Sequence, residues 1–156
     1  MTRKGRMMND FTYGHTVSAG EFISMREAVG WCGLSERQAE AGIRNAAYVI
    51  GVRNADGKLV GMARLIGDGG YVAYIADVIV LPEYQGHGIG KTMVQTILGY
   101  IRENMREGES VMACLLAAKE KEPFYEKLNF LTRPNEQHGA GMMQWIRKNS
   151  AEEETE

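Results

Sequence analysis

Three glycines spaced by two lie in Gln85-Gly86-His87-Gly88-Ile89-Gly90-Lys91-Thr92, between two stretches of different periodicity. Before them, Tyr71 to Leu81 is rich in β-branched and aromatic residues and reads as a long strand. After them, Ile89, Met93, Ile97, Tyr100 and Ile101 recur at helical spacing, so a helix begins inside the glycine cluster. Pro82 and the glycines exclude regular structure at the junction itself. A chain built this way turns sharply from sheet to helix. The first N–H groups of such a helix lack intrahelical partners, and the helix dipole adds positive potential there. Without β-carbons in the way, a phosphate or pyrophosphate can approach that backbone. Lys91 either adds charge to the site or faces solvent from the following turn.

Two familiar phosphate loops do not fit. A Walker A loop needs glycine five residues before the Gly-Lys pair, and position 85 is glutamine. A dinucleotide fingerprint reads G-x-G-x-x-G, whereas Gly86, Gly88 and Gly90 are evenly spaced. The plain alternative is a tight turn whose glycines serve chain geometry only.

The other elements follow from periodicity and punctuation. Phe11 to Val17 alternates as a first strand. Ser18-Ala19-Gly20-Glu21 and Ser35-Glu36-Arg37-Gln38 have capping-box spacing, opening helices to about Gly30 and Arg44. Ala47 to Arg53 and Leu59 to Ile66 pair as a hairpin around Asn54-Ala55-Asp56-Gly57, and Asp68-Gly69-Gly70 makes the next turn. Ser110 to Ala117 reads as an apolar strand buried on both faces. Glu122-Pro123 opens a short helix, which Leu128-Asn129-Phe130 ends with Asn129 as a left-handed cap. Gly141 to Arg147 is expected as a last strand. There are no internal repeats and no linker, which gives one α+β domain over residues 1–156 with an ordered core of about residues 11–147.

Composition narrows the class without identifying it. At 156 residues, with 44% hydrophobic and 24% charged residues, the chain has the mix of a globular domain. No apolar run approaches the roughly 20 residues that span a bilayer, so no membrane partner is expected. The basic start, with Arg3, Lys4 and Arg6, lacks an apolar stretch behind it, so no secretory signal is read and the expected compartment is cytoplasmic. A net charge of −2 without a basic face gives no reason to expect nucleic acid. Glu152, Glu153, Glu154 and Glu156 make an acidic tail, which like the basic start is expected to be solvated. Cys32 and Cys114 stand in no metal-type spacing and are expected as free buried thiols, with no metal site.

The string Val80-Leu81-Pro82-Glu83-Tyr84-Gln85-Gly86-His87-Gly88-Ile89-Gly90-Lys91 resembles motif A of the GNAT superfamily of N-acetyltransferases. That motif reads Gln/Arg-x-x-Gly-x-Gly/Ala, and Gln85, Gly88 and Gly90 fill it. Downstream, Phe124-Tyr125-Glu126-Lys127-Leu128-Asn129-Phe130 is similar to the family's Phe-Tyr-x-Lys-x-Gly-Phe signature, with Asn129 in place of the common glycine. Asparagine tolerates left-handed backbone, so the substitution is compatible with the same turn. The resemblance covers the chain from about Gly14 to Ile146, and two signatures in order are more specific than either alone.

The resemblance implies a GNAT fold: a mixed, mostly antiparallel sheet flanked by helices and splayed at an acetyl-CoA cleft. It also implies acetyl-CoA as co-substrate. Val78, Ile79 and Val80 would pair through their backbone with the pantetheine amides, and the Val78 N–H would donate to the thioester oxygen. Gly86, His87, Gly88, Ile89 and Gly90, with Gln85, Lys91 and Thr92, would hold the pyrophosphate. Tyr125 would protonate the departing thiolate as general acid. Asp77 either binds or deprotonates the acceptor amine or is a hydrogen-bonded structural carboxylate. His87 is expected to be exposed rather than catalytic, and His15 and His138 carry no supporting pattern.

The first two helices, with Glu21, Arg26 and Trp31, and the loop at residues 136–141 would wall the acceptor site. Gly141-Met142-Met143-Gln144-Trp145 and Asp77 to Val80 look like plant and cyanobacterial arylalkylamine-type members, which inclines the reading to a small aryl amine or polyamine-like acceptor. Homodimers are common among such relatives. No cysteine stands beside an evident base, so transfer is expected to be direct, within a ternary complex. The rival readings are a non-catalytic sensor or carrier of acyl-CoA and, more weakly, a phosphate-binding domain for another nucleotide.

Overall fold

Both capping boxes form, and they set where the first two helices begin. The Glu21 N–H donates to Ser18 Oγ at 3.1 Å, and the Ser18 N–H donates back to Glu21 Oε2 at 3.0 Å. The same reciprocal pair joins Ser35 and Gln38, at 3.2 Å each way. Two N–H donors per helix that would otherwise lack partners are thereby satisfied.

The computed structural model describes residues 10–148; the basic and acidic tails lie outside the described residues. The described residues fall into two compact units, one ending at Leu115 and the other beginning at Leu116. The first contains β1 (Thr12–Gly14), α1 (Ala19–Ala28), α2 (Glu36–Arg44), β2 (Tyr48–Arg53), β3 (Leu59–Gly67), β4 (Val72–Val80), a 3₁₀ turn (Pro82–Tyr84), α3 (Ile89–Asn104) and β5 (Met112–Cys114).

The sheet has the order β1-β2-β3-β4-β5. Its first three pairings are antiparallel, and β5 runs parallel to β4. The β2–β3 hairpin turns where expected: Asn54 Oδ1 accepts from the N–H groups of Asp56 and Lys58 at 3.0 Å, and Gly57 takes φ 80°. Such an Asx-type turn with a left-handed glycine needs these residue types.

Successive side chains of a strand point to opposite faces, and β3 shows what each face meets. A β-carbon at Gly61 would stand 3.0 Å from Ile89 Cγ2 of α3, so on this face helix and sheet approach closely. Arg64, on the other face, reaches toward α1 and α2. Its guanidinium lies 5.3 Å from the Phe22 ring and donates to the Gly42 carbonyl at 3.0 Å. Phe22, Ile50, Met62, Ile75, Ile79, Ile89, Met93 and Ile97 are among the fully buried side chains, so the core runs through the sheet to α1 and α3.

The second unit carries α4 (Glu122–Glu126), with Pro123 in its first turn. Asn129 follows with φ 67°, the left-handed cap expected of it. The Phe130 N–H donates to the Tyr125 carbonyl at 3.1 Å, closing the turn. No described helix is long and apolar enough to cross a membrane.

Several expectations need correction. The first strand is Thr12–Gly14 rather than Phe11 to Val17. The strand expected over Ser110 to Ala117 is only Met112–Cys114, and Met112 is 46% exposed rather than buried on both faces. The reason is that β5 pairs only with Val72 to Tyr74 and ends there, whereas β4 continues to Val80. Beyond Tyr74, β4 therefore has no described strand paired to it on this side. No strand forms over Gly141 to Arg147, where Met142 and Ile146 are exposed, because no described strand pairs with the segment. An alternating sequence becomes a strand only with a neighbour to pair with. Both cysteines are free, but Cys32 is exposed and Cys114 half-buried, not fully buried.

Candidate functional site

The glycine loop is pinned at both ends. At its entry the Leu81 N–H donates to the Val60 carbonyl at 2.9 Å, the 3₁₀ turn follows, and the Gln85 side-chain amide donates back to the Val80 carbonyl at 3.0 Å. Gly86 and Gly88 then take φ 81° and 78°, a left-handed backbone that strains residues with a β-carbon. Gly88 is the N-cap of α3 and no side chain caps the helix.

At this end the Thr92 N–H donates to the Gly88 carbonyl at 3.0 Å, opening the helical ladder. The N–H groups of Ile89, Gly90 and Lys91 precede that bond, at the positive end of the helix dipole. A β-carbon at Gly86 or Gly88 would meet nothing within 4 Å, so the approach is open. Gln85, Gly86, His87, Gly88, Lys91 and Thr92 are exposed, whereas Ile89 is buried as the anchor of the helix. The residues present therefore suit a pyrophosphate.

Side chains also prop the loop from outside. His87 Nδ1 lies 3.1 Å from the carbonyls of Tyr84 and Gln85, so it bears the proton and donates to them. Phe11 meets the rings of Tyr84 and His87 edge-on at 6.0 and 6.3 Å. Asn54 Nδ2 donates to the Tyr84 hydroxyl at 3.0 Å. His87 is thus exposed and engaged with the loop's own backbone. These props link β1 and the β2–β3 turn to the loop, and sequence spacing carries no sign of them.

Upstream of the loop, β4 contains a bulge. Met62 pairs with Ile79 and Arg64 with Ala76, so Asp77 and Val78 together stand opposite Ala63. Asp77 has φ 52°, one of three described non-glycine residues with positive φ. Its side chain is 7% exposed and both oxygens are taken: Arg26 Nη1 donates to Oδ1 and Arg64 Nε donates to Oδ2, each at 2.6 Å. Val78, Ile79 and Val80 follow in the part of β4 that β5 no longer borders.

The residues expected to wall an acceptor site are largely committed to such contacts. Arg26 also donates twice to the Cys32 carbonyl, at 3.0 and 2.8 Å, and lies 5.5 Å from the Trp31 ring centroid. Glu21 receives both terminal nitrogens of Arg53, at 2.6 and 3.0 Å. That guanidinium holds the Glu21 carboxyl below its ordinary value of 4.5, and the carboxylate in turn raises Arg53. A cavity of about 720 Å³ lies beside this pair, lined by Met25, Leu59, Leu81 and Pro82 with Glu21, Lys58 and Glu83 among its polar groups.

In the second unit, the Tyr125 ring contacts two aromatic neighbours. Phe124 meets it edge-on at 4.9 Å and Phe130 at 5.8 Å. Elsewhere, His15 Nδ1 lies 3.0 Å from the Val49 carbonyl and His138 Nδ1 lies 3.1 Å from Asn135 Oδ1. Among the described residues, no three His, Cys, Asp or Glu side chains group as metal ligands would.

Residues 18–130 match the sequence profile of the Acetyltransferase (GNAT) family. The chain is 30% identical over 118 residues to the uncharacterized N-acetyltransferase ycf52 of Pyropia yezoensis, covering 74% of this chain and 66% of that protein. It is 26% identical over 134 residues to a histone acetyltransferase of Glycine max, covering 80% of this chain and 56% of the other. The chain thus spans less than two thirds of the length of either relative. Among solved structures, it superimposes on a probable acetyltransferase of Staphylococcus aureus with a TM-score of 0.76 and 27% identity, over 86% of this chain and 99% of that one.

Proposed function

The chain belongs to the GNAT family of acetyltransferases, and on that premise we propose that it transfers an acetyl group from acetyl-CoA directly to a primary amine of a small molecule. The observation that carries the reading is the uncapped start of α3, reached through left-handed Gly86 and Gly88 with open space before both. Acetyl-CoA supplies an activated acyl group and a thiolate leaving group.

The chain's own groups then divide the work. The N–H groups of Gly86, His87, Gly88, Ile89 and Gly90 hold the pyrophosphate, with Gln85 closing the loop and Lys91 and Thr92 beside it. Val78, Ile79 and Val80 offer backbone donors and acceptors to the pantetheine amides as an added strand would. The Val78 N–H donates to the carbonyl oxygen as negative charge grows on it. Tyr125 gives its proton to the departing sulfur, whose thiol has a pKa of about 8.5 in the free state. The C–N bond forms as the C–S bond breaks; the amine loses one proton and the sulfur gains one.

Asp77 is not assigned as the base. Both of its oxygens accept from guanidinium groups, so taking a proton would mean giving up one of those bonds. Deprotonation of the amine is left to water. A cytoplasmic setting and a homodimer belong to the same proposal.

A second reading takes a lysine side chain of a protein as acceptor, supported by the likeness to a relative named as a histone acetyltransferase. The test is CoA release from acetyl-CoA across aryl amines, polyamines and a histone-tail peptide, with products checked by mass spectrometry. Acetylation of a small amine supports the proposal, and preferential acetylation of the peptide supports the second reading. Tight CoA binding with no acceptor turned over would favour an acyl-CoA sensor, and absence of CoA binding would overturn all three.

A further inference from the structure

We propose that Arg26, Asp77 and Arg64 form a positioning clamp that holds the β4 bulge in its left-handed turn and so aims the Val78 N–H into the cleft. The inference rests on the acetyl-transfer reading for its effect on rate, but its structural basis is independent of that reading.

Three observations converge on residue 77. Its φ of 52° is a conformation that an L-residue other than Asn or Asp adopts only under strain. It stands in the bulge, immediately before the residue whose N–H is asked to meet the oxyanion. Its carboxylate, 7% exposed, is gripped by two guanidiniums that are 12% and 17% exposed.

Burying three charged groups brings a large desolvation penalty, and such clusters often add little to stability over an apolar replacement. What this one does provide is geometric definition. Arg26 is itself fixed by two bonds to the Cys32 carbonyl, just beyond α1, and Arg64 by its bond to the Gly42 carbonyl in α2. Gly42 makes room for that bond, because a β-carbon there would come within 3.2 Å of Arg64 Nη1. The bulge is therefore located against both helices by a side chain pulled from two directions. The clamp fixes the backbone of the bulge, and the orientation of the next N–H follows from that backbone.

A clamp and a base are separable by substitution. Asp77→Ala removes the carboxylate and keeps the β-carbon, so both the grip and the tolerance for left-handed backbone are lost. Asp77→Gly removes the grip but restores the tolerance. Asp77→Asn keeps the tolerance and one acceptor oxygen while abolishing proton uptake.

With an amine that the wild type acetylates, we expect kcat to fall ~30-fold or more in Asp77→Ala and Asp77→Gly, which both lose the grip, and ~10-fold or less in Asp77→Asn, which keeps one acceptor. The KM for acetyl-CoA should stay within about twofold, and the acid limb of the kcat/KM profile should persist in Asp77→Asn. Wild-type rates in Asp77→Gly or Asp77→Ala, or disappearance of the acid limb in Asp77→Asn, would each overturn the clamp. Should Asp77→Ala not fold, Arg26→Gln releases one carboxylate oxygen, and the clamp then requires a fall in kcat at constant KM.

If the wild type acetylates no amine, the transfer reading fails and the clamp is judged on the free protein. Amide hydrogen exchange at Val78 must then be faster in Asp77→Ala and Asp77→Gly than in the wild type; an unchanged rate in both would overturn it.

Discussion

The side-chain amide of Gln85 donates to the carbonyl of Val80 at 3.0 Å, folding the glycine loop back onto the last residue of β4. This bond joins the two backbone segments that the proposed function uses, the strand for pantetheine and the loop for pyrophosphate. Gln85→Ala is expected to weaken acetyl-CoA binding ~3- to 10-fold with little change in melting temperature, since a single exposed hydrogen bond contributes about 1 kcal/mol. Calorimetric titration beside a thermal melt checks both.

Gly88 sets the start of α3 at φ 78°, where an added methyl would be strained although space is open around it. Gly88→Ala should destabilise the fold by about 1–2 kcal/mol and weaken acetyl-CoA binding beyond what the stability loss explains. Denaturant unfolding and calorimetry on the same sample separate the two effects.

Gly61→Ala probes the same helix from the opposite direction. Its β-carbon would press at 3.0 Å on Ile89 Cγ2, the side chain that roots the start of α3. The variant should lose about 1–3 kcal/mol by overpacking. It should also lose affinity for acetyl-CoA although residue 61 is buried, because it packs on Ile89 and pairs with Val80. Unaltered CoA affinity would mean that the helix start does not move with Ile89.

What could be read from the sequence was local. Ser18 with Glu21, Ser35 with Gln38, the Asn54–Gly57 turn, the glycine loop and the Asn129 cap each place the residues that act together within a few positions of one another, and each formed. The elements that differ depend on distant partners. The strands expected at Ser110 to Ala117 and Gly141 to Arg147 had suitable composition, but a strand extends only as far as a neighbour pairs with it. Asp77 shows the same limit at the site. Arg26 lies 51 residues away and Arg64 13, and nothing in the spacing connects either to it. Aspartate tolerates left-handed backbone, but that property alone does not locate a bulge in a strand.

The Glu21–Arg53 pair gives a pH signature with a definite sign. Because Arg53 lowers the Glu21 carboxyl below 4.5, the pair's contribution is complete above that ordinary value and is lost as pH falls through the lowered one. With side chains 29% and 33% exposed, the contribution is screened and no more than about 1 kcal/mol is expected. Melting temperature should fall less between neutral pH and acid below 4.5 in Arg53→Met than in the wild type. Parallel curves would show that the pair is not coupled to folding.

Replacing Tyr125 by phenylalanine removes one hydroxyl and leaves a ring that can keep its edge contacts with Phe124 and Phe130. With a responsive amine, kcat should be followed against pH for wild type and Tyr125→Phe, alongside acetyl-CoA affinity. Direct transfer with Tyr125 as the acid predicts a fall in kcat of ~10²-fold or more, with affinity within about twofold. Full kcat across the pH range at unchanged affinity would contradict it.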